Sequence, residues 1–169
     1  MTFDFEEEGA RSDNFKHINR QLDFTERDLQ TPQTRSLYKW WRSFHPNFPK
    51  RKDFDITQHR SLPIYVYLIE VLEPIRFRYR LNGDHVVTLV GRTLNGLEFS
   101  TSSPIFEDRI LASYLSELIP KRTACRCYGN FKMLDREHIN FESVDCPLVD
   151  EDGNITHFIG VLSDDFSDA

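Results

Sequence analysis

Three cysteines, six histidines, two groups of acids and three alternating arginines are the residues of this 169-residue chain whose spacing could do chemistry. Cys125 and Cys127 stand two apart, so on a strand they share one face. With a hairpin turn centred on Arg136-Glu137, Cys127 would lie opposite Cys146, and zinc or disulfide chemistry becomes conceivable. The Cys-x-Cys spacing lacks the two-residue gap of a zinc knuckle, however, and a fourth ligand such as His157 has no support in the pattern. The three thiols are read as small buried hydrophobes. His17, His45, His59, His85, His138 and His157 are scattered, and no Gly-x-Ser-x-Gly, His-Glu-x-x-His or phosphate-loop pattern accompanies them.

Asp53 and Asp55 are read as helix-entry caps rather than as an acid–base pair. Asp150, Glu151 and Asp152 lack the remaining ligands of a twelve-residue calcium loop and are read as a solvated turn. No nucleophile, acid–base or metal constellation can be assembled, so the expectation is a protein that is not an enzyme and has no metal site. Arg76, Arg78 and Arg80 carry the strongest chemical signal. Three guanidiniums on one strand face need solvent or acids around them. They are expected to pair with acids of the N-terminal segment or of a neighbouring subunit, the alternative being an anionic ligand or partner.

The elements that must position these residues follow from periodicity. Residues 1–12 are polar and acidic and are expected to be disordered. From Asp13 to Phe24 the apolar Phe15, Ile18 and Leu22 recur at helical spacing, which predicts an amphipathic helix in need of a partner surface. Together with the three arginines they form the expected partner-binding set. Thr31-Pro32 opens a second helix, with Thr as N-cap and Pro at the first position, and Leu37, Trp41 and Phe44 make its stripe before His45-Pro46 ends it. Residues 13–62 thus read as an N-terminal helical extension.

After Pro63 the pattern becomes strand-like. Ile64 to Leu72 is apolar on both faces, the mark of a strand covered on both sides. Arg76 to Asn82 alternates, with Phe77, Tyr79 and Leu81 opposite the arginines, and Glu73-Pro74 joins the two as a hairpin. Short helical turns punctuated by Gly83, Gly91 and Gly96 follow, then a helix from Phe106 to Ile119 that Pro120 stops. Three strands close the chain, about Thr123 to Leu134, Ile139 to Val149 and Ile155 to Leu162, the last two joined by turn-forming residues 150–154. The predicted fold class is α+β: a five-stranded antiparallel sheet with short helices on one face. The doubly apolar strands require a cover for the outer face, and the chain's own N-terminal helices cost less entropy of association than a second copy does.

The formal net charge of −6 is unevenly spread: residues 1–30 hold eight acids and four bases, and residues 145–169 hold seven acids and no Lys or Arg. Acidic ends disfavour a general nucleic-acid binder. Between Arg35 and Lys52 the balance reverses, with six bases and no acid, which leaves room for one anionic partner. The first residues lack a basic and then apolar leader, and no apolar run approaches the roughly 20 residues that span a bilayer. A cytoplasmic protein with free thiols and no membrane contact is expected.

The motifs Leu37-Tyr38-Lys39-Trp40-Trp41-Arg42, Phe48-Pro49-Lys50-Arg51-Lys52-Asp53-Phe54-Asp55 and Leu62-Pro63 resemble the N-terminal half of a bacterial family of short, stand-alone PAS proteins. Phe77 to Gly83 followed by Gly91 to Gly96 is similar to its central signature, and Cys146 to Gly153 to its final hairpin. The resemblance runs from about residue 35 to 163. It implies a PAS-like domain over residues 63–165, with five strands and short helices around a small cavity, and a regulatory or signalling role without an output domain. PAS domains that bind flavin covalently carry a Cys after the Gly-Arg or Gly-Asn step, where this chain reads Gly91-Arg92-Thr93-Leu94. Haem-binding members often supply a His from the long helix, and residues 106–119 hold none. The cofactor is therefore left unassigned. The expected cavity lining is Tyr65, Tyr67, Phe77, Tyr79, Leu94, Leu111, Leu115 and His157. A sensory module binding a small ligand there, with a homodimer or signalling protein as partner, is the leading expectation. A ligand-free adaptor using the outer sheet face and N-terminal helices is the other.

Overall fold

The computed structural model describes residues 18–131 and 136–167, so Phe15 and the expected disordered segment 1–12 lie outside the described residues. In chain order the regular elements are β1 (Asn19–Gln21), α1 (Pro32–Arg42), β2 (Val66–Glu73), β3 (Arg76–Asn82), α2 (Asp84–Val90), β4 (Glu98–Ser100), α3 (Phe106–Lys121), β5 (Cys125–Phe131), β6 (Arg136–Val149) and β7 (Ile155–Ser163). Single 3-10 turns fill part of the segment between α1 and β2. The strands form one antiparallel sheet in the order β1-β5-β6-β7-β2-β3-β4.

The α+β class holds, with seven strands among the described residues rather than five. The two extra strands, β1 and β4, are three residues long and sit at opposite edges. Segments that short carry no periodicity, and only pairing with a longer neighbour makes them strands. Asn19–Gln21 corrects the expectation of a helix over Asp13 to Phe24: it pairs with β5, Arg20 opposite Cys127. Ile18 and Leu22 pack on one face of the sheet and Phe24 on the other, so contacts with the sheet override the helical spacing.

The second helix forms where Thr31-Pro32 places it, and the Thr31 side chain accepts a hydrogen bond from the Thr34 backbone N–H at 3.3 Å. Asp55 caps the turn Ile56–Gln58 by accepting from the Thr57 N–H at 3.0 Å, and Asp53 accepts from the Lys50 N–H at 2.8 Å. Both acids are caps, as their positions suggest. Pro120 lies inside the final turn of α3, and the helix ends one residue later at Lys121, followed by the C-cap Arg122, whose backbone is left-handed at φ 51°.

Strand alternation splits the core in two. The inner face carries Ile69, Phe77, Tyr79, Cys125, Cys127 and Phe158, covered by α2, α3 and the segment between them. The outer face carries Val66, Leu68, Val144, Leu148, Ile159 and Val161, covered by Phe24, Leu37, Tyr38 and Trp41. Helix α1 lies on β6 and β7, pinned by Trp41 Nε1, which donates to the Pro147 carbonyl at 2.9 Å. The doubly apolar strands are thus covered by the chain's own N-terminal helix. The expected alternation of β3 fails at Leu81, which is 39% exposed: a register shift between Leu68 and Ile69 makes Leu81 pair with Leu68 while Tyr79 pairs with Ile69.

Candidate functional site

Two adjoining hollows of about 110 and 170 Å³ lie between the inner sheet face and helices α2 and α3, with Tyr79, Val90, Leu94, Leu111 and Leu162 lining both. The smaller, inner lobe is completed by Tyr67, Ile69, Val86 and Ser143. The larger lobe adds Arg20, Phe141 and, toward α3, Arg92, Glu107, Asp108 and Ile110. Arg92 forms an ion pair with Asp108, a buried residue of the first turn of α3. Gly91, left-handed at φ 86°, ends α2 and turns the chain so that Arg92 meets α3.

Two hydroxyls in this cavity stand without partners. Tyr79 is 8% exposed and Ser143 7%, and among the described residues neither side chain has a hydrogen-bond partner. Burial, followed by the nearby Asp108 carboxylate, raises the Tyr79 phenol well above its ordinary range, so it remains a protonated donor.

Behind the inner lobe lies a fully engaged polar cluster. Asp145, 4% exposed, accepts from both Tyr67 and Tyr114, the latter at 2.6 Å. Burial, then the neighbouring Cys127, raises the Asp145 carboxyl to about 6 against the pull of the two tyrosine donors. Cys127 Sγ lies 3.5 Å from the Tyr114 hydroxyl, and the Arg20 guanidinium donates to Cys127 Sγ at 2.7 Å while lying 4.0 Å over the Tyr114 ring. Burial alone would raise the Cys127 thiol, but the bond with Cys125 and the Arg20 charge outweigh it and hold the thiol below its usual range. Its neighbour Cys125 is raised, first by that same bond and then by burial. Gly160 is what admits the Tyr67 ring: a Cβ there would lie 2.1 Å from Tyr67 Cζ.

Of the expected lining, Tyr67, Tyr79, Leu94 and Leu111 meet at the cavity. Phe77 and Leu115 are fully buried in the same cluster, behind its wall. Tyr65 and His157 belong to the opposite side. Tyr65 packs on the outer cluster with its ring 5.0 Å from that of His85, because β2 begins only at Val66. His157 pairs in register with Glu70 and with outer-face Leu148, and burial lowers its imidazole. Ser143, Asp145 and Leu162 were not expected at the cavity. The signal for the first two is present in Phe141-Glu142-Ser143-Val144-Asp145, where polar residues interrupt an otherwise buried strand.

The expected cysteine pairing is also corrected. Cys127 lies opposite Ser143 and Cys125 opposite Asp145, while Cys146 points to the outer face and pairs in register with Ile159. All three are free thiols. Among the described residues no group of three or more His, Cys, Asp or Glu side chains is placed to hold a metal ion.

Among the described residues the three arginines meet acids of their own hairpin. Arg78 and Arg80 approach Glu70 at 3.5 and 3.7 Å, and Arg76 approaches Glu73 at 3.4 Å, all within the β2–β3 hairpin. Ile18 and Leu22 likewise pack on the chain's own inner core.

This architecture agrees with the family comparison: residues 29–163 match the PAS domain family, and the chain belongs to it. The match takes in α1, so the helix covering the outer face lies within the family region. PAS domains serve as sensory or regulatory modules. Among solved structures, similarity extends to an RNA-binding Light-Oxygen-Voltage receptor, with 14% identity over 68% of this chain and 35% of that one, at a TM-score of 0.43. It extends also to the light state of the blue-light photoreceptor Aureochrome1 LOV, with 15% identity over 64% of this chain and 86% of that one, at a TM-score of 0.38. The chain thus spans about a third of the first of these proteins, and likeness at this level carries no argument about function. Among curated proteins none matches the sequence. No helix among the described residues is long and apolar enough to cross a membrane.

Proposed function

We propose that this chain is a cytoplasmic, non-catalytic sensory module that takes a small ligand into the cavity beneath α2 and α3 and passes its state on through protein contacts, including those of a homodimer. The observation that supports ligand binding is the unpartnered Tyr79 hydroxyl, which belongs to a residue lining both lobes of the hollow, the inner of them mostly aliphatic. A hydroxyl that no protein group engages is free to donate to a ligand, and a hydrogen bond formed in a mostly apolar pocket fixes the ligand's orientation. Occupancy then favours whichever arrangement of α2 and α3 closes best around the ligand.

Native mass spectrometry of the full chain, combined with backbone amide spectra during a screen of small molecules, tests this. Ligand-induced shifts should centre on Val90, Leu94 and Leu111, and Leu111→Trp, which fills the cavity, should abolish them while the fold persists. Shifts centred on the outer face, and unaffected by Leu111→Trp, would refute the cavity as the sensing site.

A further inference from the structure

The inner lobe specifies more than that something binds. Its wall is aliphatic apart from two tyrosines and one serine, and none of its lining residues is Asp, Glu, Lys, Arg or His. The outer lobe has two cations and two anions, Arg20 and Arg92 with Glu107 and Asp108, and one pair of these, Arg92 with Asp108, is already joined. Arg20 is engaged with Cys127. Behind the inner lobe, the buried carboxylate of Asp145 is committed to Tyr67 and Tyr114, and its charge opposes an anion there. The inner lobe therefore offers a charged ligand no counter-charge in its lining, Glu107 belonging to the outer lobe, and desolvating a charge in the inner lobe would cost more than a hydrogen bond returns.

Hydrogen-bonding capacity narrows the class again. The Tyr67 hydroxyl has a single proton, which it gives to Asp145, whereas the Tyr79 and Ser143 protons are uncommitted. Two available donors match one oxygen with two lone pairs. The lobes, at about 110 and 170 Å³, each fall below the roughly 300 Å³ at which drug-sized pockets begin.

From these observations we infer that the cavity takes a compact, uncharged, largely apolar molecule with one accepting head group of the carbonyl type, held by the Tyr79 and Ser143 hydroxyls. The inference rests on the reading of the cavity as the sensing site. It assigns Ser143 and Tyr79 as the specificity-determining pair and the aliphatic wall as the seat of the apolar body.

The test uses the full chain, amide spectra at Val90, Leu94 and Leu111, and four probes: xenon, methylcyclohexane, cyclohexanone and cyclohexanecarboxylate. Cyclohexanone should bind, and Tyr79→Phe and Ser143→Ala should each weaken it by about 3- to 10-fold, the worth of one neutral hydrogen bond. Methylcyclohexane and xenon should bind both variants as they bind the wild type, which also shows that the cavity has survived the substitution. The proposed class is overturned, with the cavity reading intact, if cyclohexanecarboxylate binds as tightly as the ketone. It is equally overturned if either substitution weakens hydrocarbon and ketone alike, or if xenon enters but the ketone cannot displace solvent from the two hydroxyls. Should xenon and every other probe leave the cavity amides unmoved, the sensing site itself is refuted, and the ligand class with it.

Discussion

Asp145 is a carboxylate in the middle of the inner core, and its two tyrosine partners do not fully offset its burial. Its carboxyl is raised to about 6 in the folded chain, against an ordinary value near 3.8. The folded state therefore holds this proton more tightly than the unfolded state does. The stability it contributes is fully present below about pH 4 and is lost as pH rises through about 6. Asp145→Asn removes the titration. In urea unfolding, stability of the variant relative to wild type should thus increase by about 2 kcal/mol between pH 4 and pH 7. A pH-independent difference would show that the carboxyl titrates near its ordinary value. The placement of such residues is partly legible in the sequence: Tyr67, Tyr79 and Leu111 reach the cavity because strand and helix periodicity fix their faces, while Leu94 reaches it from the segment between α2 and β4. Tyr65 and His157 were misplaced because face assignment has a parity of two. Tyr65 lies before the strand begins, and His157 sits beside a register shift between Leu148 and Val149.

At the scale of elements, one carboxylate gathers the N-terminus of α1 onto the sheet. Glu142 of β6, 0% exposed, accepts from the backbone N–H groups of Gln30 and Thr31 at 3.0 and 2.9 Å, from the hydroxyls of Thr31 and Thr34, and from Arg126 Nε at 2.8 Å. A negative charge at a helix N-terminus is favourable, and here it also neutralises a buried guanidinium. Glu142→Gln leaves Arg126 without its counter-charge and gives the anchor two donors where acceptors are needed. The expected loss is about 3–5 kcal/mol, read by chemical denaturation, with hydrogen exchange accelerated first in α1. The Thr31-Pro32 cap that starts α1 can be read from local chemistry, as can the alternation of β3 as far as Tyr79. Glu142 cannot be read so, since the partners it holds at the start of α1 lie more than a hundred residues away along the chain. The same holds for β1 and β4, which owe their conformation to neighbours distant in sequence or too short a span for periodicity.

For the whole molecule, the sheet is a partition with an apolar core on each side. The outer core is closed by residues that precede β2. A chain shortened to residues 63–169 therefore exposes Val66, Leu68, Val144, Leu148, Ile159 and Val161 together, a patch of the kind that drives association. Such a fragment should bind hydrophobic dye and associate beyond a dimer, whereas the full chain should bind no dye and not pass the dimer, as dye fluorescence and light scattering would report. A monomeric, dye-free fragment would mean that the sheet buries this face in another way. Ser143, whose side chain lines the cavity, is followed and preceded on β6 by residues of the opposite side, and the one before it is Glu142, which grips α1. A single peptide unit, about 3.8 Å from Cα to Cα, is all that separates the wall of the chamber from the hinge-pin of the helix behind it. The two compartments touch through covalent bonds, with no relay of loosely packed side chains between them.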